Sequence, residues 1–464
     1  MKQGRKVPLS LYGILTSALL FFATTTGAAP LTLPLAVESA LKNNPDLQSA
    51  NEAVTLAQSQ IDKARAAYWP TLSLYAEALR ADAPSTYLFK TIDQRLFTPG
   101  TDFNSPGIVE NLEGGLEVRL PLYNGGRNRW AVVSAHSGLT ATQARRSGAQ
   151  RRLTSDVINV WYDILSSRQF IHIAEESVKT VTAQLEAMTV RYKGGSALKS
   201  DLLSLKVRLA EAEEQLLTSQ NRRALARAAL FTLLGQEPDT PDALSPEPPF
   251  SHWQPPTYAE GLERALTRRC EITGVQALVA QAEAGIGTAQ SGHRPVVNLA
   301  GNLYAADDGF DHTADRANWS VALRMDVPLF SGFSVEADTR SARARERQAE
   351  SLRKKILLQI RLDVKNAYLH YDEAAKRLQV AKNAVDMGEE TLSLVKKQYE
   401  GGSATITRYL EAELARNRAR IRETAAYYDQ KKALAAIARA TATSNGGPGT
   451  LFPEFSPQPH NPEK

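Results

Sequence analysis

Two stretches of this chain set apolar residues in alternating steps of three and four. Ile171, Ala174, Val178, Val181, Leu185, Met188 and Tyr192 keep that rhythm, and Leu378, Ala381, Val385, Gly388, Leu392, Val395 and Tyr399 repeat it 207 residues later. A 3.5-residue period predicts helices that supercoil left-handedly about a partner. Each stretch runs into a Gly-Gly-Ser turn, Gly194-Gly195-Ser196 or Gly401-Gly402-Ser403. The glycines suit a helix C-terminus and tight reversal, and Ser196 and Ser403 are expected to cap the helix that follows. Beyond the turns, Leu202, Leu205, Leu209, Ala212 and Leu216 supply the partner seam, and Leu410, Leu414, Asn417 and Ile421 a weaker one. Two helical hairpins are therefore predicted. Gly126 to Gly194 encloses 67 residues, which as one helix would span roughly 100 Å. A rod of that length stands as the wall of something long, or as a coiled-coil spacer.

Four shorter segments alternate with period two instead. In 112–120, Leu112, Leu116, Val118 and Leu120 oppose Glu113, Glu117 and Arg119. In 318–327, Trp319, Val321, Leu323, Met325 and Val327 oppose Ser320, Ala322, Arg324 and Asp326. In 296–304, Val297, Leu299, Gly301 and Leu303 oppose Asn298, Ala300, Asn302 and Tyr304, and 71–80 is a weaker version built on Leu72, Leu74, Ala76 and Ala78. About ten residues suits a tilted membrane strand with lipid on one face and water on the other. A soluble two-sided sheet has the same alternation. If the strands do cross a membrane, four cannot close a barrel, since single-chain barrels start at about eight and an open edge in hydrocarbon is prohibitive. Several chains must then pool them, eight strands from a dimer or twelve from a trimer.

The whole chain is duplicated. The Tyr-x-Gly-Gly turns and the pair Leu120-Pro121-Leu122-Tyr123 and Val327-Pro328-Leu329-Phe330 recur at an offset of 207, whereas Ala40-Leu41, Asp46-Leu47 and Pro70 recur as Ala265-Leu266, Glu271-Ile272 and Pro295 at 225. The first half therefore carries the longer loop between Pro70 and Pro121. Each half predicts a short helix (35–43; 257–268), a longer one (46–69; 272–293) ended by proline, two strands, a very long helix (127–193; 334–400) and a returning helix (198–234; 405–441). The expected domains are a first repeat over 30–234, a Pro-rich linker over 235–256, a second repeat over 257–443 and an irregular tail over 444–464.

The N-terminus reads as a cleaved signal peptide, residues 1–29, with Lys2, Arg5 and Lys6 ahead of an uncharged apolar stretch and Gly27-Ala28-Ala29 at the cleavage site. An uncleaved anchor is the other reading. No cysteine lies near that site, so an N-terminal lipid anchor is not expected. The chain carries 55 basic and 50 acidic residues; removing the three basic residues of the leader leaves a net charge of +2. With no basic stripe and interleaved aromatics, nucleic acid is not an expected partner. Cys270 is the single cysteine, which excludes an internal disulfide and predicts a small buried residue. After the leader, no run approaches the length of a membrane helix.

The duplicated order, Leu120-Pro121-Leu122-Tyr123-Asn124-Gly125-Gly126, Val327-Pro328-Leu329-Phe330-Ser331-Gly332 and the Tyr-x-Gly-Gly turns together resemble the TolC family of outer-membrane efflux and secretion channels, from Leu31 to about Ala442. The resemblance implies an α+β, mainly α fold. It implies a homotrimer, with a twelve-stranded transmembrane β-barrel in outer-membrane lipid above a periplasmic α-barrel of coiled-coil hairpins. It also implies a periplasmic adaptor (membrane fusion) protein and an inner-membrane RND pump or ABC exporter as partners, extracellular loops at 81–111 and 305–317, and a periplasmic tip at the two turns, where Gly194, Gly195, Ser196, Gly401, Gly402 and Ser403 would meet the adaptor. In the family the second hairpin closes the tip, and Tyr399 matches a tyrosine that helps tether it. The basic residue expected after the turn is replaced by Ala404. Two acidic ring positions fall on Arg408 and Glu411, so a trimer would present three of each. Arg408 and Glu411 could pair along the helix, or Asp201 could pair with Arg408 between hairpins.

No chemistry competes with that reading. The seven histidines are scattered without ligand spacing, no Walker, G-x-S-x-G or H-E-x-x-H motif occurs, and no cofactor is expected. Asp307, Asp308, Asp311 and Asp315 could bind a cation on a loop, but a solvated acidic loop is the preferred reading. The expectation is a passive, non-enzymatic duct. A periplasmic coiled-coil adaptor is the alternative, opposed by two hairpins and four amphipathic strands.

Overall fold

The computed structural model describes residues 31–102, 104–239, 254–309 and 316–442. The expected signal peptide, most of the Pro-rich linker, the irregular tail, Asp311 and Asp315 lie outside the described residues. In chain order the elements are α1 (Leu33–Asn43), α2 (Pro45–Ala66), β1 (Thr71–Ala81), α3 (Pro84–Asp93), β2 (Val109–Asn124), α4 (Arg127–Lys193) and α5 (Lys199–Leu233). The second half gives α6 (Tyr258–Arg268), α7 (Cys270–Gln290), β3 (Val296–Asp307), β4 (Ala317–Asp326), α8 (Ser334–Glu400) and α9 (Ile406–Ala440). The halves correspond element by element except for α3. Both long helices have 67 residues and both returning helices have 35.

The helices stand side by side as a wall. Nearest the sheet the packed order is α2, α4, α7, α8; nearest the turns it is α5, α4, α9, α8. Thus α4 and α8 run the full height, and α7 and α9 share the lane between them. Small residues allow the close approach. A Cβ added to Gly287 of α7 would stand 2.2 Å from the Trp130 indole of α4, a clash that neither helix backbone could relieve cheaply.

Two apolar clusters fasten the short helices to this wall at mid-height. In the first, Leu33, Val37 and Leu47 of α1 and α2 meet Val157, Ile158, Trp161 and Tyr162 of α4 and Phe231 of α5. In the second, Ala265 of α6 meets Ile360 and Val364 of α8 and Ile437 of α9. Asn44 accepts hydrogen bonds from the backbone amides of Asp46 and Leu47 at 3.0 and 3.2 Å, with Pro45 opening α2. Thr257 and Glu260 make a reciprocal capping box on α6. Both helix starts follow the usual cap chemistry.

The segment 81–111, expected as a loop, contains α3. Pro84 stands in its first turn, where a missing N–H costs nothing. Past its end, the Gln94 amide donates to the Glu110 carbonyl at 2.8 Å and to the Asn111 side chain at 2.9 Å, which pins the excursion to the start of β2.

Candidate functional site: sheet edges and hairpin tips

The four strands form one antiparallel sheet in the order β1-β2-β3-β4. Register aligns the alternation across the strands. Leu74, Leu116, Leu303 and Trp319 form one transverse row, and Leu72, Val118, Gly301 and Val321 the next. Offset by one residue, Ser73, Glu117, Asn302 and Ser320 form a polar row on the other face, as period two requires. The apolar face is bare: Leu74 is 80% exposed and Trp319 76%. The polar face is stitched by charge, with Arg119 on Glu117 at 2.6 Å and Lys90 of α3 on Glu113 at 2.7 Å. The outer edges of β1 and β4 carry no partner strand among the described residues. The described carboxylates of the acidic loop do not gather into a cation site. Asp307 and Asp308 both turn to Arg316, and no metal-holding group of His, Cys, Asp and Glu occurs among the described residues.

Both hairpin turns close with the same backbone bonds. Gly195 (φ 72°) and Gly402 (φ 77°) take the left-handed conformation. Gly195 N–H donates to the Tyr192 carbonyl at 3.0 Å and Ser196 N–H to Arg191 at 2.9 Å; Gly402 and Ser403 bond Tyr399 and Gln398 at 3.1 and 2.8 Å. This is the Schellman pattern. It corrects the expected serine role. Ser196 and Ser403 donate their hydroxyls back to the Arg191 and Gln398 carbonyls at 3.0 and 3.1 Å, finishing the helix before the turn. The N-cap of α5 is Leu198, without a side-chain bond, and that of α9 is Thr405, which accepts from the Arg408 amide.

Near the turns the two hairpins are locked together. Val181, Met188 and Leu205 of the first share a cluster with Val395, Ile406, Tyr409 and Leu410 of the second. Tyr399 stacks on Tyr409 at 5.6 Å between centroids, and its hydroxyl accepts a hydrogen bond from Arg191 at 3.2 Å, the guanidinium also lying 5.6 Å from its ring. Tyr399 is therefore a tether between hairpins, and Arg191 is the partner that sequence reasoning missed. Arg408 and Glu411 are exposed side by side on α9, and Asp201 is half-buried at the start of α5. Neither expected pairing forms: among the described residues no hydrogen bond or ion pair joins Arg408 to Glu411 or to Asp201.

A second group missed by the sequence reading lies higher in the same seam. Glu413 is 1% exposed, and neither carboxylate oxygen accepts a hydrogen bond. Burial pushes its carboxyl above the usual range, with the charges of Arg208 and Arg416 offsetting this only in part. A cavity of about 210 Å³ lies in the same seam, lined by Ser177 of α4, Arg208 and Gln215 of α5, and Asn417 of α9. Higher still, Arg420 meets Glu176 at 2.6 Å and Lys432 meets Asp163, both pairs joining α9 to α4. Because the Glu413 carboxyl holds its proton more tightly in the folded chain, folding takes up a proton above the ordinary glutamate pKa. That contribution to stability grows as pH falls through the window and is lost as pH rises. Glu413→Gln is accordingly expected to raise the unfolding temperature at pH 7.5 and to change it little at pH 4.5. Equal melting shifts at the two pH values would show that the buried charge is not the cause.

An outer membrane efflux protein model matches residues 36–236 and 261–443, most of the chain and both repeats. The chain belongs to the outer membrane efflux protein family. It is 24% identical to CyaE of Bordetella pertussis over 82% of this chain and 78% of that protein. It is 23% identical to the pyoverdine export outer membrane protein OpmQ of Pseudomonas aeruginosa, over 81% and 78% respectively. Among solved structures it superposes on the outer membrane protein VceC of Vibrio cholerae with a TM-score of 0.73 at 22% identity, over 88% of this chain and 95% of that one. It superposes on the open state of the Neisseria gonorrhoeae MtrE channel with a TM-score of 0.75 at 20% identity, over 89% of each. The expected mainly α fold of the TolC type is the one observed. As a member of the efflux family the protein is an outer-membrane channel component and not an enzyme.

Proposed function

We propose that this chain is one third of a passive channel-tunnel for efflux or type I secretion. Three copies pair β4 of one with β1 of the next into a twelve-stranded barrel, and their rods continue as a periplasmic tunnel. The observation that carries this reading is the sheet: among the described residues its two edges are unpaired and its apolar face is uncovered. In lipid that face is solvated and the edges must be paired. The outer flanks of α2 and α5 on one side and of α8 on the other lie below those edges, so the same contacts extend down the tunnel. The chain is exported through cleavage of residues 1–29, and the turns at Gly194–Ser196 and Gly401–Ser403 dock a periplasmic adaptor joined to an inner-membrane RND pump or ABC exporter. The export function named for OpmQ fits a channel that serves a transporter. The transporter supplies the energy.

Closure at the tip rests on the Tyr399–Arg191 tether, with Arg408, Glu411 and Asp201 as the charges around the aperture. Opening is an iris-like shift of the second hairpin away from the first, a two-state rearrangement of packed helices. In planar bilayers the wild-type oligomer should show a small, stable conductance. Arg191→Ala removes an exposed hydrogen bond and a cation–π contact, together about 1–2 kcal/mol per subunit. Conductance should rise several-fold in Arg191→Ala and less in Tyr399→Phe, which keeps the ring. Arg408 or Glu411 substitution should chiefly change ion selectivity. An Arg191→Ala channel conducting like wild type would remove the tether from the gate.

A further inference from the structure

The wall of rods has a gap where α9 stops and α7 starts, in the lane that both occupy between α4 and α8. A cavity of about 420 Å³ opens there, within the size range of small-ligand sites. Its walls are apolar, formed by Ala141 and Ala144 of α4, Val275 and Leu278 of α7, and Leu352 and Ile356 of α8. Five arginines line the same space: Arg145, Arg151 and Arg152 of α4, Arg269 ahead of α7, and Arg439 in the last turn of α9. Glu271 is the single acidic residue of the lining.

The arginines are not equivalent. Arg269 is committed, donating to Glu271 at 2.7 Å and to Asp363 at 3.1 Å. Although burial pushes the Glu271 carboxyl up, the bonds to Arg269 outweigh it and hold the carboxyl at about 2, so Glu271 is a fixed, already paired charge. Arg145, Arg152 and Arg439 are exposed at the rim and make no ion pair among the described residues. Arg151 lies deeper. Its Nε and Nη1 are buried, and neither has a hydrogen-bond partner among the described residues. A guanidinium cannot shed its charge, and buried donors without acceptors are costly. The first turn of α7 has no side-chain cap and opens onto the same gap, adding the positive end of a helix dipole.

We propose that this cavity binds an organic anion, a carboxylate or phosphate seated on Arg151 with an apolar body against the α7 and α8 wall. Charge alone would favour inorganic phosphate, but the walls demand an apolar portion, and the unpartnered Nε and Nη1 of Arg151 are buried donors that each call for a charge-assisted acceptor. The site joins α4, α7 and α8 where the two repeats meet, away from the turns and the sheet, and it stands independently of channel conductance.

Isothermal titration of the purified full-length protein in nonionic detergent tests it, with octanoate as probe and octan-1-ol and inorganic phosphate as comparisons. Octanoate should bind saturably at one per chain, phosphate about tenfold more weakly, and the alcohol without saturation. Arg151→Gln should weaken octanoate about tenfold or more, whereas Arg340→Gln, an exposed arginine on α8 outside the cavity, should not. If Arg151→Gln does not assemble, the exposed rim double variant Arg145→Gln with Arg152→Gln gives the same reading by a several-fold loss. Octanoate heats without saturation, matched by octan-1-ol, or unchanged by the arginine substitutions would overturn the proposal.

Discussion

Replacing Leu303 with arginine is expected to abolish the detergent-resistant oligomer, whereas Asn302→Arg, one residue away on the same strand, should leave it intact. Leu303 lies in the middle of β3 in the apolar row with Leu74, Leu116 and Trp319; Asn302 faces the other way, in register with Glu117 and Ser320. A guanidinium at bilayer mid-depth costs about 2–4 kcal/mol on a lipid face. With three copies per barrel the penalty becomes roughly 6–12 kcal/mol for the assembly, comparable to the whole stability of an ordinary domain. On the opposite face the same side chain stays in water and gains Glu117 as a neighbour. Semi-native electrophoresis of outer-membrane fractions reads both variants. If both assemble or both fail, the assignment of the two faces is wrong.

The second large effect concerns mid-height packing. Trp161 is 1% exposed and contacts the cluster that joins α1, α2, α4 and α5. Truncation to alanine removes an indole and leaves a cavity that rigid 67-residue rods cannot collapse to fill. The expected cost is about 3–5 kcal/mol per chain. The damage should be local, because the tip cluster around Val181, Leu205 and Tyr409 shares no residue with this one. Limited proteolysis of Trp161→Ala should therefore open sites near α1 and α5 while the turns at Gly194 and Gly401 stay protected. Wild-type resistance around α1 would indicate that the short helices are held by something other than this cluster.

Legibility from sequence followed the number of repeats of each interaction. The long rods were readable because one seam, from Ile171 to Tyr192 and again from Leu378 to Tyr399, repeats the same contact at every turn. The strands were readable because alternation is reinforced four times over. The weak seam on α9 has a physical cause: α9 packs on both α8 and α4, so its buried residues spread around the helix and include Glu413, Asn417 and several alanines. What was missed involves single contacts between distant positions. Arg191 and Tyr399 lie 208 residues apart, and Glu176 and Arg420 lie 244 apart; Tyr399 ends a seam, but Arg191, Glu176 and Arg420 belong to no pattern that marks them. The serine assignment failed because Gly-Gly-Ser serves both a helix ending and a helix beginning, and only the backbone bonds decide which. The helix α3 escaped notice because it is short and unique to the first half.

The number of chains in the detergent-extracted particle bears most directly on the account. Native mass spectrometry of the purified protein should give three copies of the mature chain: pooled strands leave no bare edge in hydrocarbon, and the family resemblance implies three copies rather than two. A particle of one or two chains that remains folded in the outer membrane would contradict it.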